Sequence, residues 1–116
     1  MWKKTNNENY LERKPIRTSS IRWTKNDEDI VTLEIENKGI FNKLAQLILK
    51  KPPITYIHLD EMGSFIWIIL DGEKSIIDLG EVVKKRFGEK AEPLYPRLAK
   101  HIQILESYNF IAWSKE

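Results

Sequence analysis

The chain has no cysteine, which excludes disulfide staples, thiolate nucleophiles and cysteine-based zinc or iron–sulfur sites. Histidine is nearly as scarce. His58 and His101 are the only two, and no HExxH-type spacing frames them. The five glycines are scattered, so neither a G-x-G-x-x-G turn nor a phosphate-cradling P-loop is present. No apolar run approaches the roughly 20 residues that span a bilayer. The opening MWKKTNNENYLERK lacks the apolar stretch of a secretory signal, so the expected location is the cytoplasm. An excess of one charge is also missing: 19 Lys and Arg stand against 17 Asp and Glu, a net +2. A surface that grips a nucleic-acid backbone carries a clear basic surplus, so this balance counts against DNA as the partner. With no nucleophile–base pair and no ligand set for a metal, the expectation is a non-enzymatic protein without a cofactor.

What is present suits one soluble domain with one core. The length is 116 residues, too short for two ordinary domains. Residues 1–19 are polar and read as an N-terminal arm, with Tyr10, Leu11 and Ile16 placed to tack it to the body; residues 20–116 form the domain. Ile21 to Lys25 reads as a strand, and Asn26-Asp27-Glu28 as a turn. In IVTLEIEN, Val31, Leu33 and Ile35 alternate with Thr32, Glu34 and Glu36, which predicts a second strand with one wet face and a hairpin with the first. Phe41, Leu44, Ala45, Ile48 and Leu49 recur at helical spacing and predict a short inserted helix, stopped by Pro52-Pro53. Ile54 to Leu59 is a third strand, with Ile54, Tyr56 and His58 on one face and Thr55, Ile57 and Leu59 on the other.

Three helices follow, each with its own boundary signals. Asp60 is placed as an N-cap for a helix reaching about Leu70, whose apolar stripe is Met62, Phe65, Ile66, Ile69 and Leu70; Gly72 ends it. Ser75 with Asp78 makes a capping box for the next, which carries Ile76, Leu79, Val82, Val83 and Phe87 to Gly88. Pro93 reads as a first-turn proline opening the last helix, which runs to about Tyr108 with Asn109 suited to a left-handed exit. Phe110 to Trp113 then forms a terminal strand or wing. The fold class expected is α+β, winged helix-turn-helix-like.

The last helix carries the functional question. At about 100° per residue, Leu94, Leu98, Leu105 and Tyr108 share a stripe with His101; Tyr95, Ala99 and Ile102 widen it on one side, Ile104 beside Arg97 on the other. Two readings of so wide an arc stand: one wall of a hydrophobic groove, or a second flank packed on the wing or the inserted helix. A DNA-reading helix would present more polar side chains than Arg97, Lys100 and Gln103. The best support for a winged-helix transcriptional regulator is Lys84-Lys85-Arg86, a cluster that also suits a helix C-terminus by its charge alone. A third strand lying at a sheet edge would offer its backbone to an incoming extended peptide, with Tyr56 and His58 lining one face of the site. Exposed strand edges also leave a homodimer open.

The block Leu59-Asp60-x-x-Gly63-x-x-Ile66-Trp67-x-x-Leu70-Asp71-Gly72-x-x-Ser75-Ile76-x-x-Leu79, continued by Val83, Phe87-Gly88, Leu98, Leu105 and Phe110-Ile111, resembles the PqqD family. The family takes its name from coenzyme PQQ synthesis protein D. The resemblance implies three strands and three helices in a winged-helix-like fold. It also implies a non-catalytic role, in which the leader of a ribosomally made precursor peptide is bound and presented to a modifying enzyme, often of the radical SAM type. In that family the leader adds as a strand beside the third strand and against the third helix. Here those elements give the peptide-binding residues Thr55, Tyr56, Ile57, His58, Leu59, Arg97, His101, Ile104, Leu105 and Tyr108. The inserted helix at 41–49 and the longer N-terminal arm set this chain apart from short members.

Overall fold

The computed structural model describes residues 10–36 and 54–114. The helix expected at 41–49 lies outside them. The order is β1 (Pro15–Arg17), β2 (Arg22–Lys25), β3 (Val31–Glu36), β4 (Ile54–His58), α1 (Glu61–Ile69), α2 (Ile76–Phe87), a 3-10 turn (Gly88–Ala91), α3 (Leu94–Ser107) and β5 (Ile111–Trp113). The architecture is α+β. Strands β2, β3 and β4 form an antiparallel sheet in that order, while β1 and β5 form a separate two-stranded ribbon.

The predicted hairpin is present. The Asn26 side chain accepts the N–H groups of Glu28 and Ile30, at 2.9 Å each, and Asp29 takes φ 62° to complete the turn. Register pairs Trp23 with Leu33 and Leu33 with Ile57, so the alternation in IVTLEIEN puts Val31 and Leu33 on the buried face. Trp23 meets the fully buried Trp67 edge to face at 6.3 Å, joining sheet to α1.

Both polar N-caps act as expected. Asp60 Oδ1 accepts Gly63 N–H at 2.7 Å, and Ser75 and Asp78 exchange the two bonds of a capping box. Asn109 makes the left-handed exit from α3 at φ 62°. Three details differ from expectation. Pro93 stands at the N-cap of α3, one position before the first turn, and the Glu92 carboxylate accepts the Leu94 N–H there. The buried side of α1 carries Gly63, Ser64, Ile66 and Trp67, not the stripe through Met62, Phe65 and Ile69, which pack only partly against the core. The sequence EMGSFIWII is apolar on nearly every side, so its periodicity does not select one face.

The third difference is the arm. Residues 15–17 add a strand to β5, pairing Pro15 with Trp113 and Arg17 with Ile111. The arm is stitched elsewhere too: Gly72 N–H donates to Pro15 C=O, Ile76 N–H to Arg13 C=O and Thr18 N–H to Phe110 C=O. Gly72, at φ 81°, leaves just enough room for Ile16, since a Cβ there would sit 2.9 Å from the isoleucine methyl. Tyr10 and Leu11 pack on the core as the sequence suggests. The last strand therefore joins the arm and not the three-stranded sheet.

Candidate functional site

Helix α3 is held by its buried side, Leu94, Leu98, Ile102 and Leu105. Its neighbouring flank carries Arg97, Lys100, His101 and Ile104. The Arg97 guanidinium donates to the carbonyls of Lys90 (3.0 Å) and Glu92 (3.2 Å), which fixes the start of the helix on the 3-10 turn. Ile104, a large aliphatic side chain, is left 46% exposed.

Facing this flank is the first half of α1. Between the two lies a cleft of about 330 Å³, lined by Asp60, Met62, Gly63 and Ile66 on one side and Arg97, Leu98, Lys100, His101 and Ile104 on the other; Val83, Ala91 and Leu94 complete it. The missing side chain at Gly63 shapes the cleft. A Cβ there would come within 2.9 Å of the Asp60 carboxylate and 3.8 Å of the His101 ring. Burial pushes the His101 pKa below its ordinary 6.5, against a smaller upward pull from the Asp60 carboxylate. The site thus has a greasy floor, a neutral imidazole, one capping carboxylate and two cations at its mouth.

The predicted site residues divide into groups. Arg97, His101 and Ile104 line the cleft together. Leu105 is 5% exposed and belongs to the core, so its part is to seat α3. Tyr108 is 65% exposed beyond the end of α3, stacked on Phe110 at 5.5 Å. Thr55, Tyr56, Ile57, His58 and Leu59 do not line the cleft; the chain enters it at Asp60, directly after them. Ile57 and Leu59 pack on the core from the inner face of the sheet. Ile54 and Tyr56 stand 39% and 56% exposed on the outer face, where His58 Nδ1 lies 2.8 Å from Thr32 Oγ1. Among the described residues β4 has one strand neighbour, β3, and the arm runs along β5 instead.

Sequence reasoning missed Asp60, Met62, Gly63 and Lys100 as cleft residues. Asp60 is explained by its cap, and Lys100 reads as a solvated position. Gly63 gave the one available signal, since a glycine inside a helix marks a close approach of something else. At the end of α2, Arg86 bonds Glu61 at 3.5 Å and lies over the rings of Phe65 and Phe87, which leaves Lys84 and Lys85 as the outward cations of that cluster.

No helix among the described residues is long and apolar enough to cross a membrane. No curated protein and no solved structure matches the chain. The family model for coenzyme PQQ synthesis protein D (PqqD) matches residues 30–111, a span that holds β3, β4, α1, α2, α3 and the whole cleft. Membership of that family implies a part in PQQ-type peptide biosynthesis. The chain belongs to the PqqD family.

Proposed function

We propose that this chain is a non-catalytic, winged-helix-like module that binds the leader of a ribosomally made precursor peptide and presents it to a modifying enzyme of the radical SAM type. The observation that carries this reading is the apolar cleft along α3, opening at Asp60, two residues beyond the end of β4. An extended leader adding along the outer side of β4 would run toward that opening, with Tyr56 and His58 beside it. Main-chain bonds then supply affinity and the cleft supplies selectivity. The family match supports the same assignment.

The test is isothermal titration of the full chain against leader peptides encoded beside its gene. A dissociation constant in the micromolar range or tighter, about 8 kcal/mol, is expected. Failure of every neighbouring leader to bind, alongside a salt-dependent shift of duplex DNA, would replace this reading with that of a transcriptional regulator.

A further inference from the structure

We infer that the cleft between α1 and α3 selects an acidic amphipathic unit: an apolar side chain on its floor with a carboxylate beside it, held at Lys100. This rests on the leader-binding reading and names the feature of a leader that the cleft would favour.

The floor excludes polar occupants. Ile66, Val83, Leu94 and Leu98 offer no hydrogen-bonding side-chain group to a guest, and Met62 only a weak thioether acceptor. A volume of about 330 Å³ lies at the low end for ligand sites and admits a side chain or two, not a packed helix. Ile104 on the rim is 46% exposed beside the buried Leu105, so a guest that covers it removes further apolar area from water.

The rim selects charge. Among the described residues four ionisable groups face the cleft: Asp60, Arg97, Lys100 and His101. The Asp60 carboxylate is committed to the Gly63 N–H at the N-terminus of α1, where the helix dipole already favours it. Burial keeps the His101 imidazole neutral near pH 7. Arg97 stays a fixed cation, anchored by two carbonyl groups that carry no net charge. Lys100 is exposed and pairs with no carboxylate among the described residues. Two cations against one committed anion make this mouth positive in a chain whose net charge is only +2. A ligand amine would meet like charges here, and a purely apolar ligand would leave the ammonium unanswered. The flexible lysine stem can follow a carboxylate over several positions, so the site reads the sign of the charge and not a single geometry.

The test uses the full chain, labelled with nitrogen-15, and two probes with one apolar body and opposite charge, 4-phenylbutyrate and 4-phenylbutylamine. Millimolar butyrate is expected to shift the amide signals of Gly63, Lys100 and Ile104, and to bind about fivefold tighter than the amine, the upper range for a solvent-exposed ion pair. Raising the salt should shrink that preference. Lys100→Glu should abolish or invert it without moving the melting temperature. Equal binding of the two probes, shifts confined to other surfaces, no shift from either probe, or an unchanged preference in Lys100→Glu overturns the inference. A neighbouring leader that binds equally well after its acidic residues are changed to amides overturns it too, while leaving leader binding intact. A cleft that prefers the butyrate in a protein that binds no leader leaves the charge selection standing and removes the leader-binding reading.

Discussion

The Ser64 hydroxyl accepts the backbone N–H of Val31 at 2.8 Å, within a fully buried contact between α1 and the first residue of β3. The same hydroxyl donates to Leu59 C=O at 3.4 Å, and Leu59 N–H donates to Val31 C=O at 2.9 Å. One small side chain therefore registers α1 on the sheet, and with it the cleft wall formed by Asp60, Met62 and Gly63. Ser64→Ala removes the acceptor and leaves a buried N–H unsatisfied. The expected loss is about 1–3 kcal/mol, read as a lower urea midpoint with an unchanged slope. A midpoint equal to that of the unaltered chain would show that the contact is dispensable.

Gly80 and Tyr95 set the approach of α2 to α3. A β-carbon at Gly80 would lie 2.7 Å from Cζ of Tyr95, whose hydroxyl donates to Ile77 C=O at 3.2 Å. In an ordinary helix, glycine to alanine stabilises by roughly 0.5–1 kcal/mol. Here Gly80→Ala is expected to destabilise by about 1 kcal/mol, because the ring must leave its place and its hydrogen bond. In a Tyr95→Ala background the same substitution should turn stabilising. A double-mutant cycle by thermal unfolding measures the change of sign.

Arg17 serves a helix it does not belong to. Its guanidinium donates to the carbonyls of Trp67 and Ile68 at 2.9 Å each, and the last turn of α1 has no basic residue of its own. Arg17→Met keeps most of the stem and loses the two bonds, with an expected cost of about 2 kcal/mol. Chemical denaturation decides it, since an arm of no structural consequence would leave the midpoint where it was.

The pH response of stability should carry the signature of His101. Its folded pKa is lowered by burial, which outweighs the smaller upward pull of the Asp60 carboxylate. Near and below pH 6.5 the unfolded chain binds a proton at this residue that the folded chain refuses. Stability is therefore undiminished above that range and falls as pH drops through it. Unfolding curves from pH 8 to pH 5 should show a drop that His101→Gln flattens. Parallel pH profiles for the two proteins would refute this.

Ile104 separates binding from folding. At 46% exposed it carries little of the core, so Ile104→Glu should change stability by less than about 0.5 kcal/mol. A leader that occupies the cleft should nevertheless bind about tenfold more weakly, since the substitution places a carboxylate on the apolar wall. Titration calorimetry beside a thermal melt checks both halves.

The legible parts were those in which a few neighbouring residues settle the matter. Asp60 and Ser75 cap helices because their oxygens reach N–H groups three residues on, and the strand alternation in IVTLEIEN needs only its own period. The face of α1 was not legible, because a segment apolar all round buries whichever side its neighbours cover, and here they covered Trp67. The strand at Pro15–Arg17 was hidden for another reason. Three residues show no usable period, and its partner Ile111–Trp113 lies almost the whole chain away.

Candidate site residues followed the same division. The helical spacing of Arg97, His101 and Ile104 was enough to place them on one flank of α3. That Met62 and Gly63 face them, that Leu105 turns inward and that the chain reaches the cleft only at Asp60, past the end of β4, are consequences of where α1 lies relative to α3. Local chemistry alone determined α1, α2 and α3, the caps at Asp60 and Ser75, the hairpin and the family likeness, because hydrogen bonds and periodicity act over a few residues. The cleft, its positive mouth and the arm's place beside β5 were decided by tertiary packing, because each depends on distances between residues that the chain order keeps far apart.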